Sequence, residues 1–153
     1  MKKQLLLLSL LIIGITSCKK DTVNATQQAT TDNSLIQTYL SNTGIVATKD
    51  PSGLYYEVIN PGTGASPTGS STVDVTYTGS LLNGEVFAPT ATLNATLNTL
   101  IQGWQIGLPH IATGGTILLV VPSALGYGTS TSNPYIPANS VLVFTITLTS
   151  FTN

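Results

Sequence analysis

The chain has 153 residues, enough for one domain of ordinary size with a sizeable core and an appendage. Its formal net charge is -1, and its basic residues are Lys2, Lys3, Lys19, Lys20 and Lys49, with His110 the sole basic side chain from Asp50 onward. A body without a row of Lys or Arg cannot neutralise a line of phosphates, which excludes nucleic acid as a partner, and no glycine-rich stretch carries the lysine of a P-loop.

The opening "MKKQLLLLSLLIIGITSC" joins a basic start to an apolar run from Leu5 to Ile15. That run is shorter than the about 20 residues that span a bilayer and predicts an export signal over residues 1–17. "ITSC" places Cys18 after small residues and resembles the lipobox of bacterial lipoproteins, which implies a lipidated Cys18 that anchors the chain to a membrane. Cys18 is also the only cysteine, so no internal disulfide exists. Lys19, not Asp, follows it, which under the enterobacterial sorting rule implies the outer membrane.

Residues 18–33 are polar and without periodicity and are expected to form a flexible tether. Within them "DTV" resembles a short O-glycosylation site of some Bacteroidetes proteins, at Thr22, although an unmodified linker is the simpler expectation. Over residues 34–51 a short helix and a connection are expected. Leu35, Ile36, Tyr39 and Leu40 fall at helical spacing, with a capping residue among Asp32 to Ser34 and a stop at Gly44.

The main domain is expected over residues 52–153. "GLYYEVIN", "STVDVTYTG", "GEVFA", Leu93 to Leu97, "TILLVVP" and "VLVFTITLTSF" read as strands. Val73, Val75 and Tyr77 share one face, as do Leu142, Phe144, Ile146 and Leu148, so one face of an antiparallel sheet is expected to be packed. Asn83-Gly84 predicts a hairpin. In "LIQGWQIGLPHI", Ile101, Trp104 and Leu108 have the spacing of a brief helix laid against the sheet. The fold class is therefore α+β.

The usual catalytic kits are missing. Beyond residue 50 the carboxylates are Glu57, Asp74 and Glu85, so no two-His metal site and no Cys/His pair can be assembled. Asp74 and Glu85 form at most a weak glycosidase-like pair, and His110 reads as a helix C-terminal cap. A reaction that needs no acid, base, nucleophile or metal is rotation about an X-Pro bond. Its barrier of about 18–20 kcal/mol comes from lost amide resonance, and an apolar pocket favours the less polar twisted state.

The segments "VDVTYTGSLLNGEVF", "LIQGWQIGL", "ILLVVPSALGYG" and "YIPANSVLVFTITL" resemble, in order and near spacing, the FKBP-type peptidyl-prolyl isomerases. The resemblance covers about Ser52 to Phe151 and implies an antiparallel sheet wrapped around one short helix. It also implies proline-containing polypeptides as substrates, with no cofactor and no metal. It makes Trp104 the floor of a proline pocket, Tyr77, Phe87 and Phe144 its aromatic walls, and Leu100 and Ile101 its rim, with the Ile101 N–H bonding a substrate carbonyl. Tyr127 becomes the hydroxyl donor to the other carbonyl, and Ile136 lies on the flanking loop.

Two departures stand out. Ala88 replaces the aspartate that follows the wall phenylalanine in the family, and no aromatic lies between Pro89 and Thr99, where Ala91, Leu93 or Ala95 takes the place of another wall. The expectation is a lipid-anchored envelope isomerase of reduced activity with poor affinity for macrolide inhibitors. The alternatives are a non-catalytic chaperone or docking module of the same fold, using the pocket or the loop 129–139, and an immunoglobulin-like or carbohydrate-binding sandwich without a packed helix.

Overall fold

The computed structural model describes residues 25–130 and 132–153. The expected signal segment, Cys18, Lys19 and Thr22 lie outside the described residues. Elements run in the order α1 (Ala25–Thr43), β1 (Thr48–Lys49), β2 (Tyr55–Asn60), β3 (Thr72–Leu81), β4 (Val86–Thr96), α2 (Gln102–Gly107), β5 (Thr116–Val121) and β6 (Leu142–Thr152). The strands form one sheet in the order β1-β2-β5-β6-β3-β4, and every pairing is antiparallel.

Period-2 patterning places the core. On β6, Leu142, Phe144, Ile146 and Leu148 are buried, and they meet Val73 and Val75 of β3 and Ile117 and Leu119 of β5. Trp104 and Leu108 close this layer from α2 and the 3₁₀ turn that follows it. A packed helix against the sheet rules out the sandwich reading.

Close approach explains the glycines around Trp104. A Cβ on Gly103 would stand 2.6 Å from Val121 Cγ1, and one on Gly107 would stand 2.6 Å from Leu119 Cδ2. The missing side chains let α2 lie directly on β5, and Trp104 settles beside the sheet at 4% exposure.

Three expectations are corrected. The helix expected within 34–51 already runs from Ala25, so residues 25–33 are helical and not tether. Asp32, expected as a possible cap, is instead mid-helix and buried, because its carboxylate is bound by Ser123 of the main domain. The sheet is covered on its second face as well: Ile36 of α1 packs with Tyr55, Val120, Val141 and Val143, with Tyr39 and Leu40 alongside, while Leu35 faces solvent.

The other departures are local. "GEVFA" and Leu93 to Leu97 are not separate strands. One long β4 spans Val86–Thr96, and it tolerates Pro89 because β4 is an edge strand whose register shifts between Tyr77 and Ser80. Gly44 ends α1 with φ +72°, its N–H bonding Leu40 O at 2.9 Å, and Gly84 turns the β3–β4 hairpin with φ +88°. His110 ends the 3₁₀ turn with its ring stacked on Tyr56, centroids 4.2 Å apart, clear of the cavity described next.

Candidate active site

Between α2, β3, β4 and the loop before β6 lies a cavity of about 160 Å³. Trp104 forms part of its lining. The ring of Tyr77, on β3, meets Trp104 edge-on at 4.9 Å between centroids, and Phe144 of β6 does the same at 5.3 Å. Phe87 of β4 stands edge-on to Phe144 at 5.6 Å. Mutually perpendicular rings hold one another rigid, since each positive edge meets a negative face. Gly79 makes room for Phe87, whose ring edge occupies the space a Cβ would need.

Leu100 and Ile101 line the cavity where the chain enters α2, and Gln105 braces them by donating from Nε2 to Leu100 O at 2.7 Å. The Ile101 carbonyl accepts from Trp104 and Gln105 in the first helical turn, whereas the Ile101 N–H has no partner among the described residues. Tyr127 and Ile136 complete the lining from the loop after β5. That loop is closed at its base by the Asn139 N–H, which donates to Gly128 O at 2.7 Å.

All nine pocket residues named from the sequence, Tyr77, Phe87, Ala88, Leu100, Ile101, Trp104, Tyr127, Ile136 and Phe144, line this one cavity. Two further residues join them. Leu93 lines the cavity where Ala91, Leu93 and Ala95 were open candidates. Asn133 was missed; its Oδ1 accepts from the Tyr135 N–H at 3.0 Å, and its Nδ2 has no partner among the described residues. The Asn-Pro pair at 133–134 is a turn signal that could have drawn attention to it.

The site is uncharged. Its lining holds no carboxylate, histidine, cysteine or lysine, and the indole Nε1 of Trp104 is buried without a hydrogen-bond partner among the described residues. Burial and the nearby Tyr77 push the Tyr127 hydroxyl above the ordinary tyrosine value, so it stays a neutral donor. The Tyr77 hydroxyl likewise has no partner among the described residues, with Ala88 offering it no acceptor. Asp74 and Glu85 do not form a catalytic pair: Asp74 binds Asn94 and Ser150 across the sheet, and Glu85 binds Asn83 at the hairpin.

Fold and cavity together mark one class of protein: an antiparallel sheet packed on a short helix, with an aromatic-walled, uncharged cavity beside the helix. Residues 64–149 match the family model for FKBP-type peptidyl-prolyl cis-trans isomerase, and the chain belongs to that family. It is 43% identical over 100 residues to the FKBP-type peptidyl-prolyl cis-trans isomerase FkpA of Escherichia coli K12, covering 63% of this chain and 37% of that protein. It is 42% identical over 114 residues to the outer membrane protein MIP of Legionella longbeachae, covering 72% of this chain and 48% of that one. A crystal structure of a peptidyl-prolyl cis-trans isomerase from Pseudomonas syringae superposes with a TM-score of 0.70 at 26% identity, over 85% of this chain and 97% of that one. The chain thus spans less than half the length of these two curated relatives.

Proposed function

We propose that this chain catalyses cis–trans rotation about X-Pro bonds of polypeptides in the cell envelope, with the substrate proline ring seated on Trp104. The observation that carries this reading is the conjunction of a rigid aromatic box with an unpartnered N–H at its rim, on Ile101.

Twisting the X-Pro amide breaks its resonance, which costs about 18–20 kcal/mol in water. The planar amide carries the larger charge separation, and water stabilises it accordingly. Inside a pocket walled by Tyr77, Phe87, Trp104 and Phe144 that advantage is reduced, so the barrier falls. The Ile101 N–H and the Tyr127 O–H hold carbonyls on either side of the bond and fix the chain while the prolyl amide turns. No proton changes hands. Each tenfold of acceleration requires about 1.4 kcal/mol of preferential binding to the twisted form.

Ala88 and Leu93 support a slower enzyme than a family member with a carboxylate and an aromatic in those places. The Tyr77 hydroxyl has no anchor, and Leu93 presents a narrower face than a ring. The same two residues favour, as a second reading, a module that holds extended segments without turning them over. Poor affinity for macrolide inhibitors such as rapamycin follows in both cases, and tight inhibition at low nanomolar concentration would overturn it.

Envelope placement rests on the lipobox-like "ITSC", which makes Cys18 a lipid anchor with the domain held outside the cytoplasm, and on similarity to a protein described as an outer membrane protein. Metabolic labelling with a fatty acid analogue tests it: label retained by the wild type and lost in Cys18→Ser supports the anchor, and an unlabelled wild type refutes it.

A further inference from the structure

Phe87 lines two cavities. One is the proline pocket; the other is an adjoining groove of about 280 Å³ between the β3–β4 hairpin and the loop 128–139, walled by Val86, Pro134, Tyr135 and Pro137 over Leu81, with Glu85 among its lining residues. Val86 is 58% exposed and Tyr135 is 71% exposed, the latter beside two exposed prolines. Single exposed apolar residues are ordinary, but these converge from two elements on one groove that adjoins the pocket across Phe87.

We infer that this groove is a second binding subsite for the same polypeptide, taking an apolar or aromatic side chain two or three residues from the proline, with a basic side chain next to it meeting Glu85. The inference rests on the isomerase reading of the adjoining pocket. Three features select this occupant. The shared Phe87 makes groove and pocket neighbours, one ring apart, and an extended chain advances about 3.3–3.6 Å per residue, so a neighbouring residue reaches across that ring in two or three steps. Tyrosine and proline surfaces are stiff and lose little entropy on docking. Among the described residues the Glu85 carboxylate is met by Asn83 alone, through Nδ2 at 2.7 Å, and no Lys or Arg follows Lys49 in the chain, so its charge is left for a partner's cation.

The consequence is selectivity for sequence context: the pocket reads proline, and the groove reads its surroundings. A free carboxylate beside exposed apolar surface favours clients with a basic residue near the proline and disfavours acidic ones.

The test is an amide shift titration of the purified full-length chain with three peptides. One is a short Ala-Leu-Pro-Ala peptide; the other two extend it on both sides with a Phe-Lys pair or a Phe-Glu pair. The short peptide is expected to shift Ile101 and the Trp104 indole only. The Phe-Lys peptide should also shift Val86 and Tyr135 and bind about fivefold tighter, and Tyr135→Ser should collapse that gain. Glu85→Gln should abolish an about two- to fivefold preference for Lys over Glu. Equal binding of short and extended peptides, or no shift at Val86 and Tyr135 with any peptide, overturns the subsite while leaving the proline pocket standing. Shifts at Val86 and Tyr135 without acceleration of proline exchange sustain the subsite and sink the catalytic reading.

Discussion

Asp32, buried in α1, accepts two hydrogen bonds from Ser123, one from its N–H at 2.8 Å and one from its hydroxyl at 2.7 Å. Ser123 stands four residues before Tyr127, and the Gly128 N–H returns to Ser123 O at 2.9 Å. The helix at the start of the described chain is thereby tied to the segment that carries the pocket's hydroxyl. Asp32→Ala leaves both Ser123 donors buried and unpaired, and a loss of about 2–4 kcal/mol in urea unfolding is expected. Asp32→Asn keeps one acceptor and should fall between. If the tie positions Tyr127, the Asp32 variants also lower the exchange rate of a prolyl peptide while folded; unchanged rates would reduce the tie to a stabilising one.

Glycine spacing in α2 makes a second prediction. Gly107→Ala pushes a methyl against Leu119, and Gly103→Ala pushes one against Val121. Helix propensity favours alanine by about 1 kcal/mol, so any net destabilisation reports the steric cost. Each variant is expected to lose about 1–3 kcal/mol and to shift Trp104 fluorescence. Neutral variants would mean that α2 has slack against β5.

Ala88 is the position where the pocket can be restored. It pairs with Gly79 across β3 and β4 and lines the cavity with Tyr77. Ala88→Asp supplies an acceptor for the Tyr77 hydroxyl, and a rate increase of about tenfold with tighter macrolide binding is expected, the worth of one charge-assisted hydrogen bond. A lower rate would place the cost of a buried carboxylate above the gain from ordering.

The pH dependence follows from an uncharged lining. Among the described residues the lining holds no carboxylate, histidine, cysteine or lysine, so the rate is expected to be flat from about pH 6 to about pH 9. Tyr127 remains protonated in the folded state beyond its ordinary value of 10.0. The unfolded chain therefore ionises first as pH rises through that value, and folding weakens there. At the acid end, Asp74 is held low by bonds from Asn94 and Ser150. Its contribution is present above the ordinary value of 3.8 and is lost as pH falls through its lower folded value. A bell-shaped rate profile centred near neutrality would show a general acid or base that the lining lacks.

Much of the fold was legible because its strands alternate. The buried row on β6 and the Val73, Val75, Tyr77 face of β3 announce the core, and four motifs in order gather the pocket residues. What was hidden came from long-range partners. Asp32 reads as a cap or a linker residue because its partner Ser123 is 91 positions away. β4 reads as two pieces because Pro89 argues against a strand, and only its edge position removes the objection. Leu93 could not be separated from Ala91 and Ala95, because all three alternate onto one face of β4, opposite Tyr77, Val75 and Val73, and only the longer side chain of Leu93 reaches the cavity lining. Asn133 sits in a polar loop where the Asn-Pro pair marks a turn but gives no sign that the turn folds back over the pocket.

The most direct test of the account is two-dimensional exchange NMR of a Leu-Pro peptide with the full-length chain, run beside Trp104→Ala and Tyr127→Phe. The account predicts accelerated cis–trans exchange that falls in both variants, with Trp104→Ala also less stable by about 3–5 kcal/mol. A folded wild-type protein that binds the peptide and leaves its exchange at the uncatalysed rate would contradict it.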